Sequence, residues 1–267
     1  MTVTLDDVIN GLSRRPPIPF YKASMTTKGA AYFQSLWTDS GNPSSGVAAG
    51  SVNGAICTKD TAGALKFNNA ATGYDTFLAK VGISGAVTQT MHIYDRLWHN
   101  SGLSGIVTTA QAISQPALTR YTNGVGVEAW LEIYTATGST GVTATLSYTN
   151  SDGVSGRTAT ANLIATPVVG QMMAFTLQTG DQGVLSVQSV TLSATTGTAG
   201  NFGVTLKKSI AEVPLAIIGV GQTLDFANLG LPKIEDDACI SFMDHCTGTT
   251  SAGVFGTISI IELPEAA

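Results

Sequence analysis

The sequence predicts a mainly β protein, an antiparallel β-sandwich or jelly roll with a mixed N-terminal part that carries a few short helices. From about residue 125 onward, apolar and polar residues alternate with a period of two in short runs bounded by glycine, asparagine or proline. Six or more strands at this spacing are typical of sandwiches and jelly rolls. Strand and helix patterns do not alternate regularly, which disfavours a parallel α/β fold.

The composition indicates a subunit of an assembly. Charged residues make up 12% of the 267 residues, about half of the roughly 25% usual in soluble domains. A surface with few charges has a weak electrostatic defence against self-association. We divide the chain into a short helix with a proline-rich arm at 1–24, a mixed region at 25–124 and a β-sandwich region at 125–267.

The first predicted element is one short helix. Thr4 is a candidate N-cap, Asp6 and Asp7 fall in the first turn, and Gly11 is placed to end the helix.

An extended arm is predicted at 13–20, because three prolines fix φ and push the residues before them out of the helical region. Such an arm either lies across a neighbouring subunit or leads over the surface into the first domain. In the first case the predicted interface residues are Arg14, Arg15, Pro16, Pro17, Pro19 and Phe20.

Two further helices are predicted from apolar spacing. The run at 29–37 places aromatic and leucine side chains at helical intervals, and within 74–99 Met91, Tyr94, Leu97 and Trp98 do the same.

The strongest strand signal is VTATLSYTN at 142–150, which alternates strictly and is followed by an Asp-Gly turn. Similar runs occupy 128–136, 172–178, 183–194, 203–208 and 256–263.

The charge and the cysteine content indicate which partners and which redox compartment the protein is suited to. The formal net charge is −5 and the lysines and arginines are scattered, so we predict no direct nucleic-acid binding. The longest apolar stretch is far shorter than the roughly 20 residues that cross a bilayer, and no export signal is evident. The cysteines Cys57, Cys239 and Cys246 suit a reducing compartment, and we expect free, mostly buried thiols.

The sequence contains no recognisable catalytic motif. We predict that the chain is not an enzyme and uses no cofactor. The Gly-x-Ser-Gly turns at 82–85, 102–105 and 153–156 lack the spacing of a nucleophile elbow. Only His92, His99 and His245 are present as histidine bases.

Metal and phosphate binding are also not predicted. The cluster Cys239, Asp244, His245 and Cys246 has no second ligand pair for a zinc site. The glycines near Gly219 lack the spacing of a phosphate-binding loop.

One face of the strand predicted at 128–136 is a candidate ligand-binding face. On 128–136 the alternation places Glu128, Trp130, Glu132 and Tyr134 on the same side. Aromatic and acidic side chains together can bind a sugar, and the alternative is a half-buried face against a loop or a neighbouring subunit.

The run VTATLSYTNSDGVSGRTAT at 142–160, within a region rich in threonine and glycine, resembles virion proteins of tailed bacteriophages, especially capsid decoration or cement proteins. The resemblance covers roughly 120–265. It implies a non-enzymatic virion component that binds and stabilises a capsid lattice, with the major capsid protein or other virion proteins as partners. The alternative is a phage tail or adsorption protein that binds a host carbohydrate. We also expect a homo-oligomer, with a trimer favoured.

Overall fold

The computed structural model describes residues 4–23, 29–249 and 253–265. In chain order its elements are α1 (Leu5–Arg14), β1 (Ile18–Ala23), β2 (Phe33–Ser35), β3 (Ser40–Asn42), β4 (Ala55–Ile56), β5 (Tyr74–Gly85), β6 (Gln89–His99), β7 (Gln111–Ala112), β8 (Glu128–Thr135), β9 (Val142–Asn150), β10 (Arg157–Leu163), β11 (Gln171–Ala174), β12 (Val184–Leu192), β13 (Asn201–Leu215), β14 (Gln222–Asp225), α2 (Phe226–Leu229), β15 (Lys233–Ile234), β16 (Ile240–Cys246) and β17 (Val254–Pro264). The predicted mainly β fold is confirmed.

Helix α1 begins as predicted but ends later. The Thr4 side chain accepts from the Asp7 backbone N–H, and the Asp7 carboxylate accepts in return, so the helix starts with a capping box. The helix continues past Gly11 to Arg14. A Cβ at Gly11 would lie 3.0 Å from Cβ of Ile261, so this glycine lets α1 approach β17 closely instead of ending the helix.

The two helices predicted at 29–37 and 74–99 are wrong. The first region holds only the short strand β2, and the second holds the long strands β5 and β6. Strand β6 is buried on both faces along most of its length, so its apolar residues form an almost continuous run. Within such a run, helical spacing arises by coincidence.

Six antiparallel strands form a closed ring, which we call the closed sheet. Their order is β13, β8, β11, β2, β16 and β6, and β6 pairs back with β13 to close the ring. The short strand β4 continues one edge of β6 beyond β16. A closed sheet leaves few unpaired backbone edges.

A second sheet, which we call the terminal sheet, packs against one side of the closed sheet. Its order is β14, β5, β17, β1 and β3, with β15 also paired to β5. The core between these two sheets includes Phe20 from β1, Ile258 from β17 and Phe242 from β16.

A four-stranded sheet, ordered β10, β9, β12 and β7, packs against another side of the closed sheet. The core between them includes Leu146 and Val190 from the four-stranded sheet, with Leu131 and Val204 from the closed sheet. The long strands β6 and β13 contribute residues to both cores. Every sheet combines strands from before and after residue 125.

Candidate functional site

The candidate functional site is the interior of the closed sheet, which combines a buried aromatic cluster with two ion pairs. Tyr94 of β6, Trp130 of β8, Met172 of β11 and Met243 of β16 form one buried cluster, with Phe33 of β2 packed against it. Lys207 of the sixth strand, β13, places its ammonium group 4.9 Å from the centre of the Trp130 ring. Each strand of the ring thus sends a side chain into one common interior.

A buried ion pair lies at one end of this interior. Arg96 is fully buried, and its Nη2 lies 2.5 Å from Oε2 of Glu132, which is 1% exposed. Tyr134 Oη donates to the same carboxylate at 3.0 Å, and Thr205 donates to it as well. The Trp37 ring covers the guanidinium at 4.4 Å.

Neighbouring charges decide the ionisation of this pair. Burial opposes the charged form of Glu132, but the adjacent Arg96 and the hydrogen bonds outweigh it and hold the carboxyl pKa below its ordinary value. Burial likewise opposes the charge of Arg96, and Glu132 overcomes this, so its pKa is raised. Burial raises the pKa of Tyr134 well above its ordinary value. The network therefore keeps a carboxylate, a guanidinium and a neutral phenol.

A second ion pair lies towards the other end. Lys207 Nζ is 2.9 Å from Oε2 of Glu128, and Trp130 Nε1 donates to the same oxygen at 2.9 Å. Ser209 Oγ donates to Oε1 of Glu128 at 2.6 Å. Burial lowers the pKa of Lys207, opposed by Glu128. The Glu128 side chain is 39% exposed, so this pair reaches the surface where the first does not.

Two histidines flank an aromatic ring beside this second pair. The Phe33 ring stacks on His245 at 4.4 Å and meets His92 edge-on at 5.3 Å. His92 Nδ1 lies 3.2 Å from Oε1 of Glu212. Burial lowers the pKa of His92, opposed by Glu212, so this imidazole is mainly neutral at pH 7.

The predicted ligand face on β8 is therefore an internal face. The structure brings Glu128, Trp130, Glu132 and Tyr134 together as predicted, but places Trp130 at 6% exposure and Glu132 at 1%. Each carboxylate is paired with its own cation and with hydroxyl donors. The polar contacts of this face join β8 to β6 and β13, and the Trp130 ring is too buried for a sugar ring to stack on it.

The predicted arm lies on the chain's own terminal sheet. Ile18–Ala23 form β1, between β17 and β3, so the predicted arm at 13–20 ends inside this strand. Phe20 is 3% exposed and stacks on Phe242 at 4.7 Å. Arg15 forms an ion pair with Glu262 of β17. Arg14 is the last residue of α1, while Pro16 and Pro17 connect it to the strand and Pro19 lies within the strand. An intermolecular role for this arm stays a prediction.

Cys239 immediately precedes β16, whereas Asp244, His245 and Cys246 lie at the end of this strand, and both cysteines are buried. In the described ranges 4–23, 29–249 and 253–265, no three or more His, Cys, Asp or Glu side chains are grouped to hold a metal ion. Neither α1 nor α2, the helices of this described part, is long and apolar enough to cross a membrane.

Sequence reasoning missed two polar clusters. Arg120, in a loop, donates from Nε and Nη2 to the two Asp95 carboxylate oxygens at 2.8 Å each, and from Nη2 to the Cys57 carbonyl at 2.9 Å. Burial raises the Asp95 pKa, opposed by Arg120.

The second missed cluster centres on Asp181, whose side chain is 3% exposed. Arg157 donates to both of its oxygens at 2.7 and 2.9 Å, and Tyr148 and Asn150 also donate to it. The hydrogen bonds from Arg157 hold the Asp181 pKa far below its ordinary value. This cluster fixes the loop before β12 to strands β9 and β10. A single aspartate in a turn-rich sequence gives no signal of such partners.

The described surface also carries exposed apolar side chains. Ile217, Ile218 and Val220, in the turn between β13 and β14, are 62%, 60% and 54% exposed. The segment 213–224 contains no charged residue. An open cleft of 560 Å³ lies near this turn, lined in part by Leu215 and His245.

Fold and site together define a class: a mainly β protein of three packed sheets, whose closed central sheet encloses an aromatic cluster and the ion pairs Arg96–Glu132 and Lys207–Glu128. No protein-family model and no curated protein matches the chain. Among solved structures, it is similar to a variant VP2 protein of infectious bursal disease virus in T=1 particles and to the VP2 subviral particle of that virus. Both are 9% identical, with 99% of this chain and 85% and 84% of those chains covered, at a TM-score of 0.20. Similarity at this level assigns neither fold nor function.

Proposed function

We propose that the protein is a non-enzymatic structural component of a tailed-bacteriophage virion, a head decoration or cement protein that binds and stabilises the capsid lattice. The observation that carries the proposal is the uncharged apolar turn at 217–220, exposed on a protein in which the charges of the closed sheet form the pairs Arg96–Glu132 and Lys207–Glu128. Large exposed apolar side chains clustered in one place mark interaction sites more often than free surface.

The three-sheet architecture is suited to a structural function. Two hydrophobic cores share the long strands β6 and β13, so a contact made by one sheet is supported by the others. Within the interior, Glu128 and Glu132 are held by Lys207 and Arg96 and accept hydrogen bonds from hydroxyl groups. Such a network is suited to rigidity, since charge-assisted hydrogen bonds are stronger than neutral ones and hold these side chains in one geometry.

The alternative, a tail protein that binds a host carbohydrate, needs an accessible aromatic platform. The aromatic residue identified for that role, Trp130, has its ring inside the closed sheet and its Nε1 bonded to Glu128. We therefore put forward the decoration function, with a homo-oligomer that lies on the particle surface.

The test begins with mass spectrometry of purified particles of the virus that encodes the chain, in which we expect the protein at a fixed ratio to the major capsid protein. Particles that lack the protein are then mixed with purified wild type or with the double variant Ile217→Ser, Ile218→Ser and sedimented. Burying two isoleucines contributes roughly 1.5–3 kcal/mol each, so we expect at least a tenfold loss of affinity.

The matched control is Val154→Ser, because Val154 is also an exposed aliphatic residue in a turn, 50% exposed, on the four-stranded sheet. It should sediment with particles as wild type does. Absence of the chain from purified particles contradicts the proposed function. Equal binding of the double variant and the control would exclude the apolar turn as the contact.

A further inference from the structure

Two buried cysteines from distant parts of the chain lie side by side on one edge of β6. The Cys57 backbone N–H donates to the Leu97 carbonyl at 3.0 Å, and the Arg96 N–H donates to the Cys239 carbonyl at 2.9 Å. Since Arg96 and Leu97 are consecutive, the two cysteines follow each other along β6, where β4 ends and β16 begins.

The segments that carry these cysteines also pair with each other. The Lys59 N–H donates to the Asp237 carbonyl at 3.1 Å, and their side chains form an ion pair. Lys59 follows Cys57 by two residues and Asp237 precedes Cys239 by two, so this contact holds the two cysteines beside each other, in one buried cluster with Trp37. A disulfide joins residues whose Cα atoms lie roughly 4.4–6.8 Å apart, so it requires two cysteines that are close neighbours in the fold.

The surroundings give the two thiols different reactivity. Both are completely buried and pack with Trp37. A hydrogen bond from the Cys239 thiol, opposed by burial and helped by His99 and Arg96, holds the pKa of Cys57 well below its ordinary value. Burial raises the pKa of Cys239. The surroundings therefore favour the thiolate, which is the nucleophilic form, at Cys57 and the protonated thiol at Cys239.

We propose that Cys57 and Cys239 are a latent disulfide site that a low-molecular-weight disulfide, such as glutathione disulfide, oxidises. The Cys57 thiolate attacks one sulfur of the small disulfide, a mixed disulfide forms and one small thiolate leaves. That thiolate takes the Cys239 proton, and the Cys239 thiolate then attacks the Cys57 sulfur and releases the second small thiolate, which is protonated by solvent. Two protein thiols are oxidised, one small disulfide is reduced to two thiols, and one protein S–S bond forms.

The bond would join the segment after β4 to the start of β16. It would cross-link residues far apart in the chain, and such cross-links restrict the unfolded state most. A protein made under reducing conditions and later exposed to oxidising ones would change from a thiol form into a covalently locked form. This inference does not depend on the proposed function.

The test exposes the full-length protein to glutathione disulfide with and without a low, non-unfolding concentration of urea, because both sulfurs are buried and need local opening to react. Free thiols are then alkylated in strong denaturant. We expect a mass about 2 Da lower before alkylation, one alkylated cysteine instead of three, and a cross-linked peptide that contains Cys57 and Cys239. The Tm should rise by roughly 5–15 °C and return on reduction.

The matched control is Cys246→Ser, because Cys246 is equally buried but its Sγ donates to Gln89 Oε1 at 3.4 Å. This variant should still form the bond, while Cys57→Ser should not. Should Cys57→Ser fail to fold, the peptide map of the wild-type protein decides alone. Three alkylated cysteines after exposure with urea, or a cross-link that includes Cys246, would overturn the inference.

Discussion

Replacing Glu132 with glutamine tests the central ion pair of the closed sheet. Glutamine has nearly the shape of glutamate, so the change removes charge and leaves little empty volume. Arg96, which is fully buried, would keep its charge with no carboxylate 2.5 Å away. Breaking a buried pair by removing one partner costs about 3–5 kcal/mol. For a chain of this size we expect the Tm to fall by roughly 10 °C.

The assay is guanidinium unfolding at pH 7, followed by tryptophan fluorescence and circular dichroism, which gives the free energy of unfolding. Glu128→Gln is the matched control on the same strand. Its partner Lys207 also bonds to Ser209, and Glu128 is partly exposed, so the loss should be clearly smaller.

A double variant, Arg96→Met with Glu132→Leu, removes both charges and should recover most of the lost stability. A loss below about 1 kcal/mol for Glu132→Gln, or no recovery in the double variant, would refute the reasoning.

Three further predictions concern other parts of the structure. Asp181→Asn should lower the Tm at pH 7. Because Arg157 lowers the Asp181 pKa, the stabilisation is present above the unfolded-state pKa near ~4 and is lost as the pH falls further; a Tm difference that persists unchanged at low pH would argue against it. Phe20→Ala should cost about 3–5 kcal/mol in urea unfolding, and a negligible loss would mean that β1 lies outside the core. Arg120→Met leaves Asp95 buried without its cation and should cost about 3–5 kcal/mol; wild-type stability in the same assay would contradict a stabilising role of the Arg120–Asp95 ion pair.

Strands with one polar face could be predicted from the sequence. The run at 142–150 became β9 with alternating burial, and the run at 128–136 became β8. The same period of two correctly placed Glu128, Trp130, Glu132 and Tyr134 on one face. The run at 172–178 yielded only the four-residue strand β11, because after Phe175 the chain passes to β10, where Thr176 forms a bridge with Thr160.

Strand β6 could not be predicted in this way. In β6, Ile93 faces the terminal sheet, Tyr94 faces the interior of the closed sheet, and Leu97 contacts the core beside the four-stranded sheet. No polar side marks the pleat, so periodicity gives no strand signal.

The partners of the buried charges could not be predicted from the sequence either. Arg96 meets Glu132 across 36 residues, and Arg120 meets Asp95 across 25. These contacts depend on which strands pair, and local sequence patterns do not contain that information. A charged pair inside the aromatic run YDRLWH at 94–99 was the one signal that could have pointed to buried ion pairs.

The position of β17 constrains how the molecule can be made. β17 lies between β1 and β5, and Arg15 and Glu262, which are 247 residues apart, lie beside each other in the finished sheet. On the ribosome, β1 and β5 therefore wait with unpaired edges until β17 emerges. Contacts between such distant residues form slowly and leave strand edges exposed to misassembly in the meantime. A translation product that stops before Val254 lacks β17 and therefore has no completed terminal sheet.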